Sequence, residues 1–312
     1  MGLKKYADAD RCEALVAVDW GTSSLRGALV SPNGQVLEER VFSRGILTVA
    51  KGEFPAVFES CFGTWMHPGT LCLIAGMAGS QQGWLEAPYC PCPAGFDDLA
   101  AQLAWIPTSG RTGGHRIGIV PGLCMQTSAA PDVMRGEETQ IFGALQLLGL
   151  DSARLVLPGT HSKWVTVSDR RIIDFSTWMT GEFYALLRQH SILARTMPAA
   201  EPELDKTAFE QGVSMALGGR GLLHTAFSTR ALALFKRMDA DALPSYLSGL
   251  LIGEELKGQI LQRGDAVVLI GSPALTARYE LALAQLGVRV QHVGSSATWC
   301  GLRAIADKLD YK

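Results

Sequence analysis

Asp19-Trp-Gly-Thr-Ser-Ser24 sets a carboxylate at the end of an apolar run and follows it at once with a glycine and three hydroxyls. In a tight turn, backbone N–H groups and short hydroxyls come close to phosphate oxygens, and an aspartate at the strand end holds Mg²⁺ through water. The residues alone also fit a plain hairpin with an exposed acid. About half a chain later Pro158-Gly-Thr-His-Ser-Lys163 repeats Gly-Thr-x-Ser without the acid. Two such turns make a phosphate clamp: Gly21, Thr22 and Ser23 from the first, Gly159, Thr160, His161, Ser162 and Lys163 from the second. Neither has the spacing G-x-x-x-x-G-K-[ST] or G-x-G-x-x-G, so P-loop and dinucleotide folds lose support.

Arg135-Gly-Glu-Glu-Thr-Gln140 is the other cluster with chemical potential. Glu137 and Glu138 fall in the first turn of an expected helix, where they either complement the helix dipole or supply a general base. The seven cysteines are odd in number and scattered. That usage fits a reducing compartment, and Cys90-Pro-Cys92 has no second pair nearby to complete a metal site. The first eleven residues are polar and charged, without the apolar stretch of a signal peptide, and no apolar run approaches the roughly 18 residues of a membrane span. A cytoplasmic location, with no membrane partner, is therefore expected.

The elements that must carry these turns are legible from their periodicity. Ala14–Asp19 is a buried strand, Leu25–Val30 its neighbour, Ser31-Pro-Asn-Gly34 a hairpin turn, and Gln35–Val41 a return strand. Leu71–Ala75 is a second buried strand ending in a glycine-rich turn. Asp97–Trp105, Glu137–Leu148, Glu182–Arg195, Lys206–Phe227, Pro244–Gln262, Ala274–Leu286 and Ser295–Leu309 have helical spacing. Ala266–Ile270 and Val288–Val293 close the strand list, the former ending in the turn Gly271-Ser-Pro273. With 312 residues, 47% of them hydrophobic and 19% charged, the chain is globular and long enough for two domains. Lys and Arg total 28 against 30 acids, a balance without the basic footprint of a nucleic-acid partner. Any anion must be held locally. Laying Val16–Val30 over Arg154–Ser168 aligns Gly21-Thr22 with Gly159-Thr160 and Ser24 with Ser162, which points to a duplicated domain. The expected division is 1–150 and 151–312.

On these motifs the chain resembles the actin, hexokinase and heat-shock ATPase superfamily. The implied fold is α/β, two duplicated ribonuclease H-like domains with an interdomain cleft that closes on ATP. Gly76-Met-Ala-Gly-Ser-Gln-Gln-Gly83 looks like the sugar-contacting turn of carbohydrate kinases. With Gly159-Thr-His-Ser-Lys-Trp164 and Arg135–Gln140, the chain resembles the 2-dehydro-3-deoxygalactonokinase family along essentially its full length. That resemblance implies ATP and Mg²⁺ as cofactors, with Asp19 serving the metal, and a small sugar acid as the partner phosphorylated at its terminal hydroxyl in galactonate catabolism. It places Gly271, Ser272 and Leu275 on the adenosine side, with the helix from Gly294 beside them, and Gly79, Ser80, Gln81 and Trp84 on the sugar side. Trp84 reads equally as core. Related kinases use an Asp in a Gly-Asp-Gln turn that opens a helix ending in Phe-Gly. Here Gly136-Glu137-Glu138 stands there, one residue closer to Phe142-Gly143, and Glu137 is preferred as the base because it directly follows the glycine.

The substrate carboxylate needs a cation, and the candidates are Arg26, Arg111, Arg116, Arg135, His161 and Lys163. Arg26 and Arg135 come first because they adjoin the functional turns, while His161 and Lys163 serve phosphate or structure as readily. Two other readings stay open: a kinase for another small sugar or 2-keto-3-deoxy acid, and a non-catalytic sugar or nucleotide sensor on the same fold. Oligomeric state is not encoded in any of these features.

Overall fold

The computed structural model describes residues 13–107, 115–126 and 130–309. The first half supplies β1 (Leu15–Trp20), β2 (Leu25–Val30), β3 (Val36–Phe42), α1 (Phe54–Phe62), β4 (Leu71–Gly76), β5 (Tyr89–Pro91), α2 (Phe96–Ala101), β6 (Ala104–Trp105), β7 (Arg116–Ile119), β8 (Gly122–Met125), β9 (Asp132–Met134) and α3 (Glu137–Leu148). The second half supplies β10 (Ala153–Leu157), β11 (Ser162–Ser168), β12 (Arg171–Trp178), α4 (Thr180–His190), α5 (Lys206–Gly218), α6 (Leu222–Leu234), α7 (Leu243–Lys257), β13 (Ala266–Ile270), α8 (Pro273–Gln285), β14 (Arg289–Val293) and α9 (Ser296–Ala306). Among the described residues no helix is long and apolar enough to cross a membrane.

Two sheets share one plan. The first has the order β3-β2-β1-β4-β7-β6 and the second β12-β11-β10-β13-β14. In the first, β1 runs antiparallel to β2 and parallel to β4, and β4 parallel to β7. In the second, β10 is parallel to β13 and β13 to β14. Each sheet thus begins with a three-strand meander and grows sideways by parallel strands, the ribonuclease H-like arrangement. The sequences say why. β1 (LVAVDW) and β4 (LCLIAG) are apolar almost throughout and buried on both faces, as parallel strands with covered faces require. β3 (VLEERVF) interleaves acids and Arg40 with its apolar positions and forms the sheet edge. A small sheet β5-β8-β9 stands apart.

The chain forms two compact units. One runs to Ala153 and takes back Thr166–Phe175 and the chain from Ser295; the other holds Arg154–Val165 and Ser176–Gly294. The first unit's core gathers Trp20, Phe54, Phe58, Phe62 and Trp65 around β1 and β4. The second packs Trp164, Phe209, Val213, Ile252, Leu269 and Tyr279 around β10 and β13.

Several element boundaries differ from the periodicity reading. The expected helix Lys206–Phe227 is two helices, because Gly219 has extended backbone and Gly221 lies at φ +92°, conformations no helix continues through. Asp97–Trp105 resolves into α2 and β6. The helix starts one residue earlier because the Asp98 carboxylate accepts the Gly95 N–H at 2.8 Å, and Ala104 and Trp105 instead join the ladder against Ile119 and Gly118. α9, read as a neighbour of the adenosine-side turn, packs on α3 in the first unit. Its approach rests on glycine. A Cβ on Gly143 would stand 1.7 Å from the Ala297 carbonyl oxygen, and one on Gly301 1.8 Å from that of Thr139.

Candidate active site

In the first unit the site is built on strand ends. Asp19 and Arg26 are cross-strand partners in the β1–β2 ladder, so their side chains share a face. Arg26 Nε donates to Asp19 Oδ2 at 2.9 Å, and Nη2 lies 2.8 Å from the same oxygen. Nη2 also donates to Thr298 Oγ1 at 2.9 Å, and the guanidinium lies 5.1 Å from the Trp299 ring centre. Arg26 is therefore already engaged with the acid it positions. The turn that follows is closed by Gly21 N–H to the Ser24 carbonyl, and the carbonyls of Gly21 and Thr22 accept from Ile46 and Leu47. Thr22 and Ser23 are exposed.

Next to β1, the parallel strand β4 ends at Gly76, with φ +89°. A Cβ there would meet the Trp20 carbonyl oxygen at 2.9 Å and Asp19 Oδ1 at 3.1 Å, and a Cβ on Gly136 would lie 3.2 Å from Gly76 Cα. Glycine at both positions lets the N-terminus of α3 come up against the end of β4 beside Asp19. The carboxylate and the Glu137-Glu138 pair, far apart in sequence, are thereby brought into one corner. The turn from Met77 to Ala87 folds on itself: Ser80 Oγ donates to the Met77 carbonyl at 2.8 Å, and Ala87 N–H to that of Gly79. Gln81 is exposed. Trp84 belongs to the aromatic core, 5.4 Å from Phe58 and 6.2 Å from Trp20 between ring centres. It is half-buried, packed against that core.

Arg135 Nη2 donates to the Ala87 carbonyl at 2.9 Å, and the guanidinium stacks 4.3 Å from the Tyr89 ring centre. Its Nε and Nη1 are buried with no partner among the described residues. Gly79 lies beside Nη1, where a Cβ would come within 2.7 Å. Arg116 is exposed and stacked on Trp105. Arg111 lies outside the described residues.

The two acids of α3 divide by environment. Glu137 is half-buried and accepts the Arg135 N–H at 3.0 Å. Glu138 is completely buried and accepts the Gly136 N–H at 2.7 Å, and its Oε1 has no partner among the described residues. Burial, reinforced by the neighbouring Glu137 charge, pushes the Glu138 carboxyl up to about 8. Burial thus favours the protonated form of Glu138, and the half-buried Glu137 is the better candidate for a base. The sign of the linkage follows: with a folded pKa above the unfolded one, Glu138 favours the folded state fully below about 4.5, and that contribution is lost as pH rises towards about 8. Glu138→Gln, shaped like the neutral acid, is expected to flatten the fall of melting temperature between pH 5 and 8. An unchanged slope would show that Glu138 ionises normally.

In the second unit the corresponding corner recurs. Pro158-Gly159 at the end of β10 adjoins Gly271 at the end of β13; a Cβ on Gly271 would lie 3.7 Å from the Pro158 carbonyl oxygen. Ser272 caps α8, its carbonyl accepting from Thr276 N–H. The N-terminus of α4 presses on the hairpin: Gly181 would drive a Cβ to 2.5 Å from the Gly159 carbonyl oxygen, and Glu182 N–H donates to the Thr160 carbonyl. Beside Gly159, a pocket of about 250 Å³ is lined by Tyr184, Leu251, Ala274, Leu275 and Arg278. His161 Nε2 lies 2.6 Å from Glu182 Oε2. Ser162 and Lys163 turn inward, Ser162 Oγ to Tyr279 Oη at 2.7 Å and Lys163 Nζ to Thr177 Oγ1 at 2.7 Å. Strand alternation explains this, since both already belong to β11 and point to its buried sides. Of the second phosphate set, the half-buried Gly159 and the exposed Thr160 and His161 remain at the turn. Tyr184 and Arg278 carried no signal in the sequence, for each sits on a helix at ordinary spacing.

Two sheets of one strand order, each closing its first strand with a Gly-Thr hairpin beside the end of a parallel strand, define the class of actin/hexokinase-like ATPases. The family model for 2-keto-3-deoxy-galactonokinase matches residues 19–305. The chain is 39% identical to "Probable 2-dehydro-3-deoxygalactonokinase DgoK1" of Rhizobium meliloti (strain 1021), over 93% of this chain and 95% of that one. It is 37% identical to the 2-dehydro-3-deoxygalactonokinase of Escherichia coli (strain K12), over 93% and 97%. The crystal structure of a Sinorhizobium meliloti protein assigned to the same activity superposes with a TM-score of 0.87 at 36% identity, over 96% of this chain and 100% of that one. The chain belongs to the 2-keto-3-deoxy-galactonokinase family.

Proposed function

We propose that this chain transfers the γ-phosphoryl group of ATP to the terminal hydroxyl of 2-dehydro-3-deoxy-D-galactonate, giving the 6-phosphate. The observation that carries the reading is the meeting of Gly76, Gly136 and Asp19, which brings the N-terminus of α3, where Glu137 stands, up to a strand-end aspartate. In the reaction the substrate hydroxyl oxygen forms a bond to the γ-phosphorus, its proton passes to a Glu137 carboxylate oxygen, and the bond from the γ-phosphorus to the β–γ bridging oxygen breaks to release ADP. The family likeness in the matched curated relatives supports the substrate class. Positioning and charge stabilisation supply most of such a catalyst's effect.

Arg135 is the better carboxylate partner than Arg26. Arg26 is committed to Asp19, Thr298 and Trp299, whereas two buried donors of Arg135 are unspent beside the Gly79 turn. The exposed Thr22 and Ser23 of the first hairpin, and Gly159, Thr160 and His161 of the second, serve phosphate; Gly271, Ser272 and Leu275 serve the nucleoside. Among the described residues no group of three or more His, Cys, Asp and Glu is placed to hold a metal. A lone strand-end carboxylate fits Mg²⁺, which takes one or two carboxylates and fills its shell from phosphates and water. Asp19 would hold it, and the ion would neutralise phosphate charge.

A coupled assay of ADP release across aldonates, ketoses and 2-keto-3-deoxy acids tests the reading. The expected result is that 2-dehydro-3-deoxy-D-galactonate has the highest kcat/KM. A higher value for another sugar acid moves the substrate, and nucleotide binding without turnover on any acceptor leaves a sensor.

A further inference from the structure

Beneath the second hairpin lies a buried carboxylate that no motif pointed to. Glu255 sits on α7, 1% exposed. Its Oε1 accepts the Trp164 Nε1–H at 2.7 Å; its Oε2 accepts the Tyr279 hydroxyl at 2.6 Å and the Thr180 hydroxyl. Tyr279 Oη is in turn 2.7 Å from Ser162 Oγ. Burial pushes the Glu255 carboxyl up, and its hydroxyl and indole partners oppose the shift. Trp164 and Ser162 come from β11, the strand that leaves the second hairpin, Thr180 from the first turn of α4 and Tyr279 from α8; of these, Thr180 and Tyr279 line the pocket beside Gly159.

The geometry points to Glu255 as a positioning residue for ATP. It ties the strand that leaves the second Gly-Thr hairpin, the helix N-terminus packed on that hairpin, and the helix that carries Leu275 and Arg278 to one carboxylate. Neither Glu255 nor Trp164 lines the pocket, so both act through the residues they hold. Three donors converging on one carboxylate set orientation as well as separation, because each hydrogen bond is directional, and the Trp164 and Tyr279 donors are buried. The consequence is specific to the nucleotide. The residues read as sugar-side belong to the other compact unit.

The inference rests on the reading of this unit as the ATP-holding one, and the experiment separates the two. Glu255→Gln keeps the volume but presents an amide N–H₂ to hydroxyl or indole donors. KM for ATP is expected to rise about ten- to a hundredfold, the effect of losing a hydrogen bond to a charged group, with KM for the sugar acid close to wild type. Tyr279→Phe, which keeps the ring and cuts the link to Ser162, is expected to move the same parameter in the same direction by less. The shift of melting temperature on adding ATP is read alongside, without any acceptor present. Wild-type values of both KM in a folded Glu255→Gln overturn the inference, as does a parallel rise of the two. If Glu255→Gln does not fold, Tyr279→Phe decides: an unchanged KM for ATP overturns the inference, a selective rise upholds it. Failure of the wild-type protein itself to bind or turn over ATP would instead sink the kinase reading.

Discussion

Glu137→Gln is expected to lower kcat by about 10²- to 10⁴-fold, the usual contribution of a general base, while KM for ATP and for the sugar acid stays near wild type. The substitution keeps the volume and the oxygen that accepts the Arg135 N–H, and removes the ability to take a proton. Glu138→Gln should slow turnover far less, because Glu138 is completely buried and burial favours its protonated form, which offers no base to exchange. Steady-state kinetics on both variants in parallel is the check. If the effects are reversed, the one-residue shortening before Phe142 has moved the base to Glu138. If neither variant slows turnover by about tenfold, the pair only complements the dipole of α3, and the proposed chemistry loses its proton acceptor.

Asp19→Asn is expected to fold normally yet lose at least about 10²-fold in phosphoryl transfer at saturating Mg²⁺. The two properties separate because asparagine keeps the shape of the side chain and an oxygen that can still accept from Arg26. Arg26 keeps its bond to Thr298 and its contact with Trp299, which hold the guanidinium in place. Melting temperature and single-turnover rates measured on the same preparation check both halves. Near-normal turnover would remove Asp19 from the site. A large drop in melting temperature together with the rate loss would make it a structural residue of the β1–β2 hairpin.

Local chemistry made much of this architecture readable. β-branched and apolar runs marked β1, β4 and β13, and turn residues marked their ends, because a strand buried on both faces tolerates little else. The Gly-Thr repeat foreshadowed two sheets of one strand order. Glu137–Leu148 was readable to the residue, since Gly136 at φ +107° cannot extend the helix backwards and Gly149 in the left-handed conformation ends it. The Asp19–Arg26 pair could also have been found, because hairpin register alone sets those two positions opposite each other.

By itself, then, the sequence determined the long apolar strands β1, β2, β4 and β13 with the turns that end them, and that the chain carries duplicated Gly-Thr hairpins together with acids at a helix start; the short strands β5 to β9, and β12, carried no such apolar run. Those properties are set by dihedral preference and by apolar spacing over a few residues. Only the tertiary structure decided which side chains are spent. Lys163 went to Thr177, Ser162 to Tyr279, and α9 back to α3 over Gly143 and Gly301. Glu138 became completely buried, with its protonated form favoured, and Glu137 half-buried, although the two are adjacent and identical in type. The carboxylate of Glu255 gathered partners from β11, α4 and α8. The reason is common to all of them: desolvation and hydrogen-bond pairing depend on neighbours brought in from distant parts of the chain, and no local spacing encodes which of those neighbours will arrive.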